Sequence, residues 1–188
     1  ILDDGEASKG ANSFVKLALE NTDQRIQSGK SVSAGFLFAT LLWPDLLKNW
    51  KANSAKGIAN IPALHDAMDD TIATQSSGMT IQRRFESDMR EIWSMQPRFE
   101  RRVGRYPFRL IESPRFRAGY DFMLLRCANG ELNPAIGQWW TDFIAADPTG
   151  QDELMASVKN ESGNTASPAK RRRRRKPKAA LPPEGAAS

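Results

Sequence analysis

Apolar positions recur at helical spacing along most of the chain. The clearest case is Ile81, Phe85, Met89 and Ile92, whose intervals of four, four and three put them on one face of a helix. Thr80, just ahead of them, is a suitable N-cap. Arg83, Arg84 and Arg90 fall off that face and are expected toward solvent or a partner. Earlier, Phe14, Leu17 and Leu19 begin a helix after Ser13. A second helix is expected from Ser33 to about Ala52, kinked at Pro44, where the ring clashes and an amide donor is lost. Pro62 suits the first position of a third, which carries Leu64, Met68 and Ile72. A short helix with Phe99 and Val103 is expected between Pro97 and Pro107. Ser113-Pro114 and Asn133-Pro134 each join a capping side chain to a first-turn proline. They predict one helix through Tyr120, Leu124 and Leu125 and another through Ile136, Trp139, Trp140 and Phe143. No stretch alternates convincingly at period two, and Asn129-Gly130 lies between helical patterns rather than inside a hairpin. The pattern predicts an all-α protein, an irregular helical bundle with short connections.

The apolar pattern fades after about Asp147. Residues 159–188 are rich in Ser, Asn, Pro, Ala and basic residues and offer little to bury. Such a composition cannot offset the entropy of ordering, so a disordered tail is expected. The predicted organisation is a junction over 1–12, a helical body over 13–147 and a disordered Arg-rich tail over 148–188. The first residue is Ile1 rather than Met, which predicts a fragment or processed product, and the acidic start is unlike a secretory signal. No apolar run approaches the length of a transmembrane helix.

Charge changes this picture more than composition does. The net +5 is unevenly spread. Residues 170–188 hold eight basic residues and one acidic, a net +7, which leaves residues 1–169 at −2. Within that body, residues 83–126 hold eleven Arg, no Lys and six acids, a net +5. Two basic zones therefore need a reading, one in the helical body and one in the tail.

The tail zone is Lys170, Arg171, Arg172, Arg173, Arg174, Arg175, Lys176 and Lys178. Charges this dense repel each other until an anion neutralises them, and a phosphate backbone does so with release of condensed counterions. Guanidinium groups also fork onto phosphate and stack on open bases, which suits single-stranded RNA. A solubilising tail, a nuclear localisation signal and an anionic-membrane patch are the plainer readings. The body zone offers Arg83, Arg84, Arg90, Arg101, Arg102, Arg105, Arg109, Arg115 and Arg117 as RNA contacts. Phe85, Trp93, Phe99, Tyr106, Phe108, Phe116 and Tyr120 interleave with them as candidate stacking platforms. Against this, Phe85 and Phe99 sit on apolar stripes, and six nearby acids suffice for ordinary helix ion pairs.

Little else carries chemistry. One Cys and one His exclude a His/Cys zinc site and an intrachain disulfide. Cys127 reads as a small core residue, His65 as a surface or cap residue and Asp69-Asp70 as a solvated face. Trp43, Trp139 and Trp140 read as core anchors. No phosphate loop, nucleophile elbow or catalytic carboxylate pair is present, so no catalytic or metal-binding residue is assigned.

Three blocks are more distinctive: Ser31-Val-Ser-Ala-Gly-Phe-Leu-Phe-Ala-Thr-Leu-Leu-Trp-Pro44, Pro114-Arg-Phe-Arg-Ala-Gly-Tyr-Asp-Phe-Met-Leu-Leu-Arg126 and Gln138-Trp-Trp-Thr-Asp-Phe143. With Asn21-Thr-Asp-Gln-Arg-Ile and the Arg-rich end, they resemble in order and spacing the carboxy-terminal half of bacterial poly(A) polymerases, over about residues 14–146 plus the tail. Phe-Arg-Ala-Gly-Tyr-Asp is the most specific piece. The resemblance implies the helical body and leg of a class II nucleotidyltransferase. In that family a catalytic head and a neck precede this region, and the enzyme adds AMP from ATP to RNA 3′ ends with Mg²⁺. The head's glycine-serine motif and Asp-x-Asp pair are missing from this sequence. The resemblance therefore implies an RNA-binding part without the catalytic head, and without ATP or Mg²⁺ of its own. RNA 3′ ends, an upstream head and neck, and a cytoplasmic location are the implied partners and setting. A CCA-adding tRNA nucleotidyltransferase fragment and a stand-alone, non-enzymatic RNA-binding helical module are the alternatives.

Overall fold

The computed structural model describes residues 4–29, 31–76 and 81–163, and among these every regular element is helical. In chain order they are α1 (Asp4–Gln27), α2 (Ala34–Leu41), α3 (Trp43–Ala55), α4 (Asn60–Ser76), α5 (Arg83–Met95), α6 (Tyr106–Ile111), α7 (Phe116–Ala128), α8 (Pro134–Ala145) and α9 (Pro148–Gly163), with a 3-10 turn at Gln96–Arg98. The all-α expectation holds.

Several boundaries differ from the sequence reading, each for a local reason. Ser13 does not cap α1, which continues through it from Asp4. Pro44 does not kink one long helix. The chain breaks at Leu42, and Pro44 lies in the first turn of α3, where its missing amide costs nothing. Helix α5 starts two residues after Ile81, with Gln82 at the N-cap position; Thr80 lies outside the described residues. The short helix expected between Pro97 and Pro107 is instead the 3-10 turn, and Pro107 opens α6. Ser113-Pro114 forms a turn whose Ser113 carbonyl accepts the Phe116 amide at 2.9 Å, so α7 starts at Phe116. Asn133-Pro134 behaves as expected: Asn133 Oδ1 accepts the Ala135 amide at 2.9 Å.

The largest departure is α9. Residues 148–163, assigned to the tail by composition, form a helix that lays Leu154, Met155 and Val158 against α8 and its core. Three apolar residues at helical spacing suffice when a preformed surface awaits them. The rest of the predicted tail lies outside the described residues.

Two apolar clusters organise the helices. The first gathers Phe14, Leu46, Leu64, Met68, Met89 and Ile92 around Trp43, Trp93 and Phe122. The second gathers Phe99, Leu110, Phe116, Tyr120 and Met123 around Trp139, Trp140 and Phe143. Helices α5 and α7 serve both. Phe122 and Leu125 of α7 enter the first, while Phe116, Tyr120, Met123 and Cys127 enter the second. A helix buried on both sides has no single apolar stripe, and this is why α7 lacks the one-sided pattern of α5. Gly35 of α2 admits the close approach of α5: a Cβ there would stand 2.5 Å from Asp88 Cβ.

All five tryptophans donate their indole N–H. Trp50 reaches the Asn60 carbonyl, Trp93 the Ala39 carbonyl, Trp139 the Leu154 carbonyl and Trp140 the Phe99 carbonyl. Each bond ties an element to another while the ring fills the space between them. Trp43 donates instead to Glu131 Oε2 at 2.8 Å.

That carboxylate lies in a buried polar knot between the clusters. Arg126, 5 % exposed, donates from Nε to Glu131 Oε2 at 3.2 Å and from Nη1 to Gln96 Oε1 at 3.4 Å. Its guanidinium carbon sits 4.7 Å from the Trp43 ring centre. Gln96, fully buried, donates to the Ile92 and Gly119 carbonyls. Gly130, with φ of 77°, turns the chain back after α7 so that Glu131 can reach Arg126.

Glu131→Ala removes the counter-charge from a desolvated guanidinium and is expected to cost about 3 kcal/mol in urea unfolding. Glu131→Gln keeps the shape and some of the hydrogen bonds and should cost less; equal losses would show that charge is not what the knot needs. Gly35→Ala is expected to destabilise by about 1–3 kcal/mol, since Asp88 Cβ belongs to a packed helix.

Candidate nucleic-acid interface

The arginines of the body separate into two groups by what they touch. In the first group, carboxylates hold the guanidinium. Arg90 donates to Asp69 at 2.7 Å and to Glu86 at 3.2 Å. Arg115 pairs with Asp88, at 2.5 Å, and more loosely with Glu91. Arg117 pairs with Asp121 at 3.1 Å, and Arg25 of α1 approaches the same carboxylate at 3.4 Å. Arg126 is the buried member: burial pulls its guanidinium below the ordinary arginine range, and Glu131 opposes that shift.

Arg83, Arg84, Arg98, Arg101, Arg102, Arg105 and Arg109 form the second group. They have no ion pair among the described residues, and all but Arg102 are exposed. Five of these seven lie between residues 98 and 109, a stretch whose one acid is Glu100. The Nε of Arg102 is buried without a hydrogen-bond partner among the described residues, and its guanidinium carbon lies 5.7 Å from the Trp139 ring centre. Arg105 is the N-cap residue of α6 and Arg109 lies four residues on, its amide bonded to the Arg105 carbonyl, a spacing that puts both toward one side of the helix.

The aromatics sort just as sharply. Trp93 and Phe99 are fully buried, Phe116 and Tyr120 are at most 9 % exposed, and Phe85 is half-buried against Phe38. Trp93, Phe99, Phe116 and Tyr120 belong to the core clusters and are not platforms, whereas Phe85 belongs to neither cluster and has the Arg84 guanidinium carbon 4.5 Å from its ring centre. Tyr106 is 44 % exposed and Phe108 37 %. Tyr106 stands among the unpaired arginines, with the Arg101 guanidinium carbon 3.3 Å from its ring centre.

The sequence reading placed Arg90, Arg115 and Arg117 beside the other RNA candidates. The structure sets them apart, because each is bound to a carboxylate that spacing along one helix shows only for Arg90 with Glu86 and Arg117 with Asp121. Arg98 is exposed and unpaired among the described residues, and the sequence reading passed over it. A groove of about 660 Å³ was also missed. Arg25, Arg115 and Arg117 line it with Ser33, Phe36 and Asp121, so the distinctive blocks at 21–26, 31–44 and 114–126 meet on one surface. Only long-range packing joins them. The tail cations Lys170 to Lys178 lie outside the described residues.

Against this geometry, comparison with known proteins is specific. A sequence-family model described as Polymerase A arginine-rich C-terminus matches residues 56–178. The chain belongs to that family. It is 34% identical over 173 residues to a Salmonella typhi protein named Poly(A) polymerase I, covering 90% of this chain and 36% of the relative. The Escherichia coli O6:H1 protein of that name is 33% identical over the same shares. The Haemophilus influenzae one is 26% identical over 147 residues, which is 77% of this chain and 32% of the relative. The chain thus spans about a third of the length of the curated relatives it matches. These three relatives are named for poly(A) and not for CCA addition. The family's arginine-rich description covers both basic zones, since residues 56–178 include Arg83 to Arg126 and the tail run.

Among the described residues, no three His, Cys, Asp or Glu side chains converge as a metal site would require. His65 is exposed. No helix among the described residues is long and apolar enough to cross a membrane. Cys127 is 8 % exposed, and burial pushes its thiol above the ordinary range. It should therefore resist alkylation at neutral pH in the folded chain and react readily in denaturant. The unfolded thiol ionises first as pH rises, so stability contributed by the buried, protonated thiol is present at neutral pH and lost through the alkaline range. Fast native labelling at pH 7 would contradict this.

Proposed function

We propose that this arginine-rich family member is the RNA-holding carboxy-terminal region of a poly(A) polymerase. In this reading an upstream head and neck of the same protein add AMP from ATP to RNA 3′ ends in the cytoplasm. ATP and Mg²⁺ belong to the head, and no residue of this chain is assigned to them. The body supports the head, while the unpaired arginines and the tail keep single-stranded RNA close to it. The observation that carries the reading is the conjunction of the family match with seven arginines of residues 83–126 that have no ion pair among the described residues, while the other four of that stretch are paired.

Charge explains what such a region contributes. Unpaired guanidinium groups need not exchange a carboxylate for a phosphate, so contact with RNA proceeds without breaking the fold. The eight tail cations raise the local concentration of RNA through contacts that follow phosphate and ignore sequence. Such contacts raise affinity and encounter rate; they leave the chemical step to the head.

The test is an anisotropy titration of labelled oligo(A) with the intact chain and with one ending at Ala169, which leaves every core contact of the described residues in place. The intact chain is expected to bind more tightly at low salt. If all eight tail cations engage one strand, its affinity falls by roughly three decades between about 50 and 200 mM salt. Equal affinities at low salt would remove the tail from the reading.

A further inference from the structure

The two exposed features of residues 98–109 meet at one side chain. Gly104 holds φ of 63°, a left-handed conformation that reverses the chain between Arg101 and α6. The reversal lays the Arg101 guanidinium on the Tyr106 ring, 3.3 Å from its centre. One face of the ring is thereby covered, yet Tyr106 remains 44 % exposed. The guanidinium therefore does not close Tyr106 off from solvent. Around it lie Arg105, one residue earlier, and Arg109, three later on the same short helix, both exposed and without an ion pair among the described residues. Phe108, by contrast, leans on Phe143 with ring centres 5.4 Å apart and is held as a lid on the second core.

We infer that Tyr106, backed by Arg101, is a stacking platform for one base of a single-stranded RNA, with Arg105 and Arg109 taking the flanking phosphates. This deepens the RNA-holding reading and rests on it. A base has a flat face of the size of the phenol ring and stacks on it irrespective of its identity. In a duplex that face is already stacked on its neighbours, so the platform selects unpaired strands. The covering guanidinium contributes twice: it fixes the ring and places positive charge beside the strand. A strand held in this way makes contacts of two kinds that respond differently to salt. Phosphate contacts release counterions and weaken as salt rises, whereas a stacked base releases none.

That difference makes the platform measurable. The protein is the 188-residue chain with its eight tail cations replaced by glutamine, so the tail does not mask the body. The probes are labelled oligo(A) and an abasic strand of the same length, titrated over a salt series. Tyr106→Ala is expected to weaken oligo(A) binding about fivefold or more with the salt slope unchanged, and to leave abasic-strand binding as it was. Tyr106→Phe, which keeps the ring, should stay within about twofold of the parent. Arg105→Gln with Arg109→Gln should instead lower the slope on both strands by roughly 1.4. Far-UV circular dichroism and Tm check that the exposed substitutions leave the fold intact. The platform is overturned if Tyr106→Ala has no effect on oligo(A), or if it weakens both strands alike, since that would make the ring a loop brace. It is also overturned if the tail-neutralised chain binds no oligo(A) while the intact chain does, and in that case the RNA-holding reading survives through the tail. An intact chain that binds no oligo(A) overturns both.

Discussion

Everything in this fold converges on the carboxylate of Glu131. It accepts the Trp43 indole from α3 and, from the end of α7, the Arg126 guanidinium and the Asn129 amide. A guanidinium this deeply buried is costly unless paired and hydrogen-bonded, and Arg126 is both. Its Nη1 donates to Gln96, which in turn bonds α5 and α7. The knot lies where the two apolar clusters abut, so neither cluster can shift without unpairing a buried polar group. Oily contact alone would let α5 and α7 slide along each other; directional bonds fix their register.

With that register fixed, the fate of every other arginine follows. Asp88 of α5 faces the start of α7 and takes Arg115, while Asp121 of α7 takes Arg117 and meets Arg25 from α1. The carboxylates are concentrated along the packed helices, where they hold neighbouring helices together. The turn and short helix over 98–109 anchor Phe99 and Pro107 in the interior and carry one acid, Glu100. Four of its five arginines are exposed, and a basic patch arises from the geometry of pairing as much as from composition. This explains how a body of net charge −2 over residues 1–169 can still present a positive surface.

The aromatics obey the same division of labour. A tryptophan in the core must place its indole N–H somewhere, and here each of the five donates to a carbonyl or to the Glu131 carboxylate on another segment of the chain. Packing and hydrogen bonding are thus satisfied together. Tyr106 escapes because Pro107, Leu110 and Phe108 supply the apolar side of α6. Its own ring is surplus to the core.

Much of this was legible in the sequence. Helical periodicity gave the all-α class, the turn chemistry of Asn133-Pro134 gave the start of α8, and the blocks around Ser33 and Phe116 pointed to the family. The core placement of Trp43, Trp139, Trp140 and Cys127 followed from their chemistry alone. Periodicity describes one helix at a time, however, and so it misplaced what depends on neighbours. It could not see that α9 would find a surface for Leu154 and Val158, that Leu42 rather than Pro44 would break the second helix, or that α7 would be buried on two sides. The arginines show the limit most plainly. Composition counted eleven of them between residues 83 and 126, but a carboxylate two helices away decides whether a guanidinium is a structural clasp or an open site. Charge is written in the sequence; its neutralisation is a distance, and distances between remote residues exist only once the chain has folded.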